Sequence, residues 1–269
     1  MSYLDEGPRS HEAVLMLHGN PTWSFFYRDV VRTLSPTMRC IVPDHVGMGL
    51  SEKPQDYDYC LQTRIADIES FVASLGLKRI HLIVHDWGGA IGCGFATRHP
   101  ETIGRMVILN TAAFFSTHIP RRIALCRAGL FGEWLVRGLN GFAGPASWMS
   151  TVRPLAADVK RGFLFPYDSW ANRVAVHRFV QDIPMKLSHP TRIVLDEIEA
   201  KLPLLADREK LMLWGGRDFC FNDHFLSRWR EIFPQASVQR YAAAGHYVLD
   251  DAGQDARERI SGFLQPKTL

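Results

Sequence analysis

The sequence predicts an α/β protein: a mostly parallel β-sheet with helices on both faces and a helical segment inserted late in the chain. Three observations predict it. Short apolar strands alternate with helical patterns over residues 13–109 and again from residue 210. A strand at 79–84 runs through His85-Asp86-Trp87 straight into a helix of small residues at 88–96. Between residues 110 and 210 the alternation stops, and aromatic-rich helical patterns take its place.

The first strong strand is Ala13-Val14-Leu15-Met16-Leu17, an unbroken apolar run of the kind buried on both faces of a parallel sheet. It ends in the loop His18-Gly19-Asn20-Pro21-Thr22. A fold of this kind has another strand or two ahead of it, so the N-terminus looks short. A helix is expected over about 24–34, then the strand Cys40-Ile41-Val42-Pro43 and a glycine-rich loop from Asp44 to Ser51. Apolar residues at helical spacing predict a helix over 61–75. Past the strand–turn–helix, Arg105-Met106-Val107-Ile108-Leu109 reads as a strand that stops at Asn110. Lys210-Leu211-Met212-Leu213-Trp214 leads into Gly215-Gly216-Arg217-Asp218, and Ser237-Val238-Gln239-Arg240-Tyr241 leads into Ala244-Gly245-His246.

The expected organisation is a core over 1–113, a helical cap over 114–205 and the rest of the core over 206–269. The cap would lie over the carboxyl ends of the strands, where open α/β sheets bind ligands. Its aromatics are Phe114, Phe115, Phe131, Trp134, Phe142, Trp148, Phe163, Phe165, Tyr167 and Trp170. Each of them, taken singly, reads as packing within the cap.

Composition narrows the class. At 269 residues, 46% apolar and 22% charged, the chain suits one large globular domain or one domain with an insertion. Its net charge of +3 comes from scattered lysine and arginine, without the basic block that tracks phosphates, so nucleic acid is not an expected partner. Five widely spaced cysteines, Cys40, Cys60, Cys93, Cys126 and Cys220, form no CxxC pair, which argues for a reducing compartment and against a zinc site. The opening residues have neither a basic n-region nor an apolar h-region, and no apolar run approaches the roughly 20 residues that span a bilayer. A cytoplasmic setting is expected.

The strand–turn–helix at 79–96 fits a nucleophile elbow, with the pattern small-x-nucleophile-x-Gly. Val84 stands at the first small position, Asp86 at the nucleophile and Gly88 at the last glycine. A carboxylate there changes the chemistry: it is a poor acyl acceptor but displaces leaving groups at saturated carbon, giving an alkyl ester that water can hydrolyse. Alone, Asp86 fits a helix N-cap equally well. The other residues decide against that. Asp218 and His246, each in a loop after a strand, complete the chain order nucleophile, acid, histidine of hydrolytic triads on α/β sheets. His246 would be the general base and Asp218 its orienting acid. Asn20 and Trp87 sit in the two loops that face each other across the nucleophile. Their amide and indole N–H groups are neutral donors, able to hold a weakly hydrated anion but unable to protonate an alkoxide.

The segments His18-Gly19-Asn20-Pro21-Thr22, Asp44 through Pro54, and His85-Asp86-Trp87-Gly88-Gly89 resemble the haloalkane dehalogenase family of α/β-hydrolases. The set Asp86, His246, Asp218, Asn20 and Trp87 resembles the pentad of that family's third subfamily. The likeness extends to a sister group, the β-lactone decarboxylases of bacterial long-chain olefin synthesis. It runs through 108–114, Gly132-Glu133-Trp134, Trp170-Ala171-Asn172-Arg173, Gln181-Asp182-Ile183-Pro184 and Asp218-Phe219-Cys220-Phe221, so it covers nearly the whole chain. The resemblance implies an α/β-hydrolase fold, no cofactor and no metal. It implies a small apolar substrate, haloalkane or alkyl β-lactone, with halide or carboxylate leaving, and a homo-oligomer or a complex with a pathway enzyme. The pentad is common to both activities and cannot separate them. The chemistry of the pentad supports dehalogenation to an alcohol, and the cap segments favour decarboxylation to an alkene. Epoxide hydrolysis would need cap tyrosines, for which only Tyr167 is a clear candidate, and a non-catalytic receptor would have no need of a full triad.

Overall fold

The computed structural model describes residues 1–265. Seven strands form one sheet: β1 (Tyr3–Glu6), β2 (Glu12–Leu17), β3 (Cys40–Pro43), β4 (Arg79–Asp86), β5 (Ile103–Thr111), β6 (Lys210–Gly215) and β7 (Ser237–Tyr241). Their order is β1-β3-β2-β4-β5-β6-β7. Every pair is parallel except β1 with β3. β1 was not readable from the sequence as a strand. It is an edge strand of mostly exposed residues, Tyr-Leu-Asp-Glu, so it lacks the apolar run that marks its neighbours.

The sheet is covered on both faces by two separate apolar clusters. On one face lie α2 (Leu61–Leu75) and α3 (Trp87–Arg98), which pack Ile65, Ile68, Ile91 and Phe95 against Leu15, Leu82 and Ile108. On the other face, α1 (Arg28–Leu34) and a long C-terminal helix bring Val30, Leu34, Ala256 and Ile260 against Val14, Ile83 and Leu213. Alternate residues of β2 therefore serve opposite cores, which is why its sequence shows no polar interruption.

The helix expected over 24–34 divides in two. A 3-10 turn, Ser24–Tyr27, comes first, because the Ser24 N–H donates to Asp44 Oδ1 at 2.7 Å and Phe26 N–H to the Trp23 carbonyl at 2.8 Å. The α-helix starts only at Arg28.

Between β5 and β6 the chain forms α4 (Arg121–Cys126), α5 (Gly129–Glu133), one turn of π-helix at Trp134–Gly138, α6 (Ala143–Met149), α7 (Ala157–Leu164), α8 (Val174–Gln181) and α9 (Pro190–Lys201). Expected packing of its aromatics holds for Phe114, Phe163 and Tyr167, which are buried. It fails for Phe131, Trp134, Trp148, Phe165 and Trp170, all of which are exposed. The helices here are short, and each leaves part of its length exposed, while α9 packs against α2 and α3. After β6 come α10 (Asp223–Ile232) and the C-terminal helix α11 (Val248–Leu264). The end of the second core part, 266–269, lies outside the described residues.

Gly88 lets α3 begin directly behind β2, since a β-carbon there would collide with the backbone carbonyl of Leu17. Backbone cannot yield as a side chain does. Gly88→Ala is therefore expected to destabilise the fold by about 1–3 kcal/mol, the scale of overpacking in a tight core. Urea denaturation followed by circular dichroism measures this, and an unchanged midpoint would show that α3 has room to shift.

Candidate active site

β4 delivers Asp86 to the carboxyl edge of the sheet and α3 starts at the next residue. The turn is sharp: Asp86 has φ 51° and ψ −128°, a conformation that costs a residue with a β-carbon roughly 1–3 kcal/mol. Asp86 stands at the N-cap position of α3 but makes no side-chain capping bond. Its carboxylate instead turns across to the β2 loop, where Oδ1 accepts the Asn20 backbone N–H at 2.6 Å. Gly19 makes that approach possible, because a β-carbon there would overlap the Asp86 side chain. Thr111 Oγ1 donates to the Asp86 carbonyl and fixes the turn from β5.

His246 lies over this carboxylate, with Nε2 3.6 Å from Asp86 Oδ2. On its other side Nδ1 donates to Asp218 Oδ2 at 2.7 Å. Asp218 is buried, and its second oxygen accepts the Cys220 N–H at 2.7 Å. The structure thus brings Asp86, His246 and Asp218 into one line from loops far apart in sequence, hydrogen-bonded between His246 and Asp218 and in close charge contact between His246 and Asp86. Burial pushes the Asp86 carboxyl above its ordinary range, against the pull of His246 and the Asn20 and Trp87 backbone amides. Burial also opposes charge on His246, but the carboxylates of Asp218 and Asp86 outweigh it and raise the imidazole above its ordinary value.

Asn20 and Trp87 flank Asp86 in the lining of a cavity of about 380 Å³. The Asn20 side-chain Nδ2 donates to the Val176 carbonyl of α8 at 3.1 Å, so one of its two N–H bonds is engaged. The Trp87 indole N–H has no protein partner among the described residues and faces the cavity. Its ring packs at 5.5 Å on Phe179, and the Arg64 guanidinium sits 3.4 Å from the centre of that same ring. Arg64 is fully buried, and none of its guanidinium nitrogens makes a hydrogen bond among the described residues. A fixed positive charge two rings behind the indole favours an anion in front of it.

The rest of the cavity is mostly apolar, with Phe114, Phe142, Val180 and Leu195 among its walls and Ser116, His118 and Arg122 also lining it. No tyrosine lines it. Tyr167, the candidate for epoxide chemistry, is buried elsewhere, with its hydroxyl donating to the Thr22 carbonyl at 3.4 Å. All five cysteines are free.

Three supporting residues went unread in the sequence. His85 is buried beside the nucleophile; its Nε2 donates to the His246 carbonyl at 2.9 Å and its ring lies 4.4 Å from the His246 ring. Asn110 Nδ2 donates to the Gly215 and Phe221 carbonyls at 3.1 and 3.3 Å, and its Oδ1 accepts the Gly215 N–H at 2.7 Å. That clamp fixes the loop carrying Asp218. Asp251 accepts N–H groups from Gly245 at 2.7 Å and Val152 at 2.8 Å, tying the histidine loop to the insertion. His85 adjoins the elbow motif and so carried a signal; a buried Asn or Asp at a loop closure carries none.

A strand-borne nucleophile position at a strained elbow, followed in chain order by an acid and a histidine, defines an α/β-hydrolase site. The alpha/beta hydrolase fold family matches residues 12–253, and the chain belongs to it. The cis-3-alkyl-4-alkyloxetan-2-one decarboxylase of Shewanella oneidensis is 46% identical over 98% of this chain and 85% of its own length. Haloalkane dehalogenase 2 of Mycobacterium tuberculosis is more distant, 30% identical over 93% of this chain and 86% of its own. The crystal structure of an ancestral haloalkane dehalogenase superposes with a TM-score of 0.86 at 25% identity, covering 97% of this chain and 94% of that one.

Asp218→Asn keeps the shape of the orienting side chain but removes the charge that holds His246 Nδ1–H. Turnover of whatever substrate depends on His246 as a base is expected to fall at least about 10³-fold, the scale seen when a triad acid becomes an amide. Steady-state kinetics on a variant shown folded by thermal melting tests this, and a loss under tenfold would leave Asp218 without that role.

Proposed function

We propose that this enzyme is a β-lactone decarboxylase that converts a cis-dialkyl β-lactone to a long-chain cis-alkene and carbon dioxide. The observation that carries the reading is the 46% identity to a named oxetanone decarboxylase over 98% of the chain, set against 30% to a named dehalogenase. The site suits it. A mostly apolar cavity ending at one carboxylate and a few neutral donors accepts alkyl chains and presents their polar junction to Asp86.

Asp86 attacks the saturated ring carbon that bears the ring oxygen. That C–O bond breaks, the ring opens, and its electron pair stays on a carboxylate that needs no protonation to leave. Trp87 and the free N–H of Asn20 hold the new carboxylate. The bond from the neighbouring carbon to this carboxylate then breaks and releases carbon dioxide. Its electron pair forms the double bond as the ester C–O bond returns to Asp86. Inversion followed by anti elimination turns a cis lactone into a cis alkene, with no water consumed. His246, oriented by Asp218, balances the buried carboxylates. Residues 114–205 act as the cap that closes over the chains, and the enzyme works in the cytoplasm.

Haloalkane dehalogenation is the second reading, favoured by the unpartnered Trp87 indole N–H in the cavity. There Asp86 displaces halide into the Trp87 and Asn20 donors, and His246 activates water to hydrolyse the aspartyl ester.

The two routes use His246 differently. With a haloalkane, His246→Gln is expected to strand an alkyl ester on Asp86, seen by intact-protein mass spectrometry, with halide release stopping near about one equivalent. With a β-lactone the same variant is expected to go on releasing alkene, because no water has to be activated. A variant that forms no adduct with haloalkane and still turns over lactone leaves only the first reading. One that stalls as an ester with lactone sinks the base-free route.

The pH dependence follows from the same difference. Dehalogenation needs His246 neutral, and its proton affinity is raised above the ordinary 6.5, so that activity is expected to fall as pH drops through a value above 6.5. Decarboxylation needs only Asp86 ionised, and its pKa, though raised, starts from 3.8. The lactone profile is therefore expected to extend further into acid than the haloalkane profile. Coincident acid limbs in kcat would contradict the assignment.

A further inference from the structure

We propose that the face of the insertion around the cavity mouth docks on an anionic lipid surface. The mouth is marked by four residues that line the cavity and are also open to solvent: His118, Arg122, Leu125 at 52% and Trp148 at 63% exposure. Beside it, Leu130 is 86% exposed, and Phe131 and Trp134 pack on each other with ring centres 6.2 Å apart. Arg127 donates to the carbonyls of Val180 and Gln181 at 2.8 and 2.9 Å, which ties the exposed Met185 and Leu187 to the same region. Leaving this much leucine and aromatic surface in water is unfavourable, and a face of this kind marks an interaction site.

Charge identifies the occupant. From Thr111 to Ala157 there are five arginines and one acid, Glu133, so this stretch alone carries more net positive charge than the +3 of the whole chain. Glu133 is already paired with Arg137 at 2.7 Å. Arg121 and Arg122 are exposed at the start of α4, and Lys186 stands between Met185 and Leu187 in a segment without acids. A second copy docked by the same face would set these like charges against each other. Leucine and tryptophan rimmed by arginine are instead the composition of a surface that sits in the headgroup layer of an anionic bilayer. The orientation places the cavity mouth on the membrane. Resting on the proposed function, a long dialkyl substrate would then pass from acyl chains to apolar walls without crossing water; the docking itself does not depend on that reading.

Sedimentation with sucrose-loaded vesicles tests the surface without any turnover. The parent enzyme is expected to bind phosphatidylcholine vesicles containing about 30% phosphatidylglycerol and to be released as salt rises from about 0.05 to 0.5 M. Binding to phosphatidylcholine alone is expected to be at least about tenfold weaker. Leu130→Glu/Phe131→Glu, whose side chains do not line the cavity, is expected to lower partition at least about tenfold while keeping the parent's melting temperature and its rate on a short, water-soluble substrate. Leu130→Ser/Phe131→Ser, which adds no charge, is expected to weaken binding in the same direction. A parent that stays in the supernatant at low salt, or a glutamate variant that binds as the parent does, overturns the proposal. So does a parent that ignores vesicles but dimerises by light scattering and becomes monomeric in the variant, which would assign the face to a second copy. Vesicle binding that persists in an enzyme inactive on β-lactone would fault the proposed function and leave the docking surface standing.

Discussion

The site depends on how closely the β2 loop is set against the end of β4. Asp86 is held at φ 51°, with Gly19 of the β2 loop so near that neither position tolerates extra bulk. Gly88 brings α3 equally close to Leu17. This crowding forces the carboxylate off the helix terminus, where an aspartate would ordinarily cap, and onto the Asn20 amide. The strain is stored in a turn held by Thr111 from one side and the β2 loop from the other. With the elbow fixed, the Asp218 and His246 loops need only be brought alongside. Asn110 and Asp251 hold them there through backbone amides and carbonyls.

Burial sets the electrostatic character of the centre. Two carboxylates and an imidazole share a buried volume, where the charges of Asp218 and Asp86 favour the protonated form of His246 against its burial. His246 is the pivot: Asp218 at 2.7 Å fixes its tautomer, and its other ring nitrogen stands 3.6 Å from Asp86. Arg64 adds a positive charge that no carboxylate pairs with directly, eased by the charge of Asp182 and by the faces of Phe179 and Tyr59. Removing its neighbours would be costly, because an isolated guanidinium in a core has nothing else to replace its water. Placed behind Trp87, it makes the front of the indole a better anion site than a neutral pocket wall would be.

The sheet and the triad were legible because both write themselves in local patterns. Parallel strands buried on two faces are unbroken apolar runs, as in Ala13 to Leu17, and the elbow compresses strand, nucleophile and glycine into a few residues. β1 was illegible for the converse reason: an exposed edge strand needs no apolar alternation. Asn110 and Asp251 escaped because their partners are backbone groups about 6 to 111 residues away, and no spacing in the chain announces such contacts, whereas His85 had only its place beside the elbow to mark it. The activity was legible only down to a pair, since a set such as Asp86, His246, Asp218, Asn20 and Trp87 would suit displacement at saturated carbon whichever group leaves.

The exposed aromatics of the insertion escaped for a different reason, one that joins the fold to the function. Aromatic residues are ordinarily read as core because burying them is favourable, and that inference assumes a second layer to bury them against. Here the sheet supplies one face for the insertion and the substrate cavity takes part of that. Trp148 has both roles, lining the cavity with one side and meeting solvent with the other. Short helices over a mostly apolar cavity cannot satisfy apolar residues on both of their sides. The charges between them are mixed: Arg121 and Arg122 are exposed beside Leu125, and Asp168 is exposed between Phe165 and Trp170. Asp251, bonded to Gly245 beside the catalytic histidine and to Val152 in the insertion, ties that outer layer to the reacting centre. Asn20, bonded through its side chain to the Val176 carbonyl of α8, ties the insertion to the other side of the same centre.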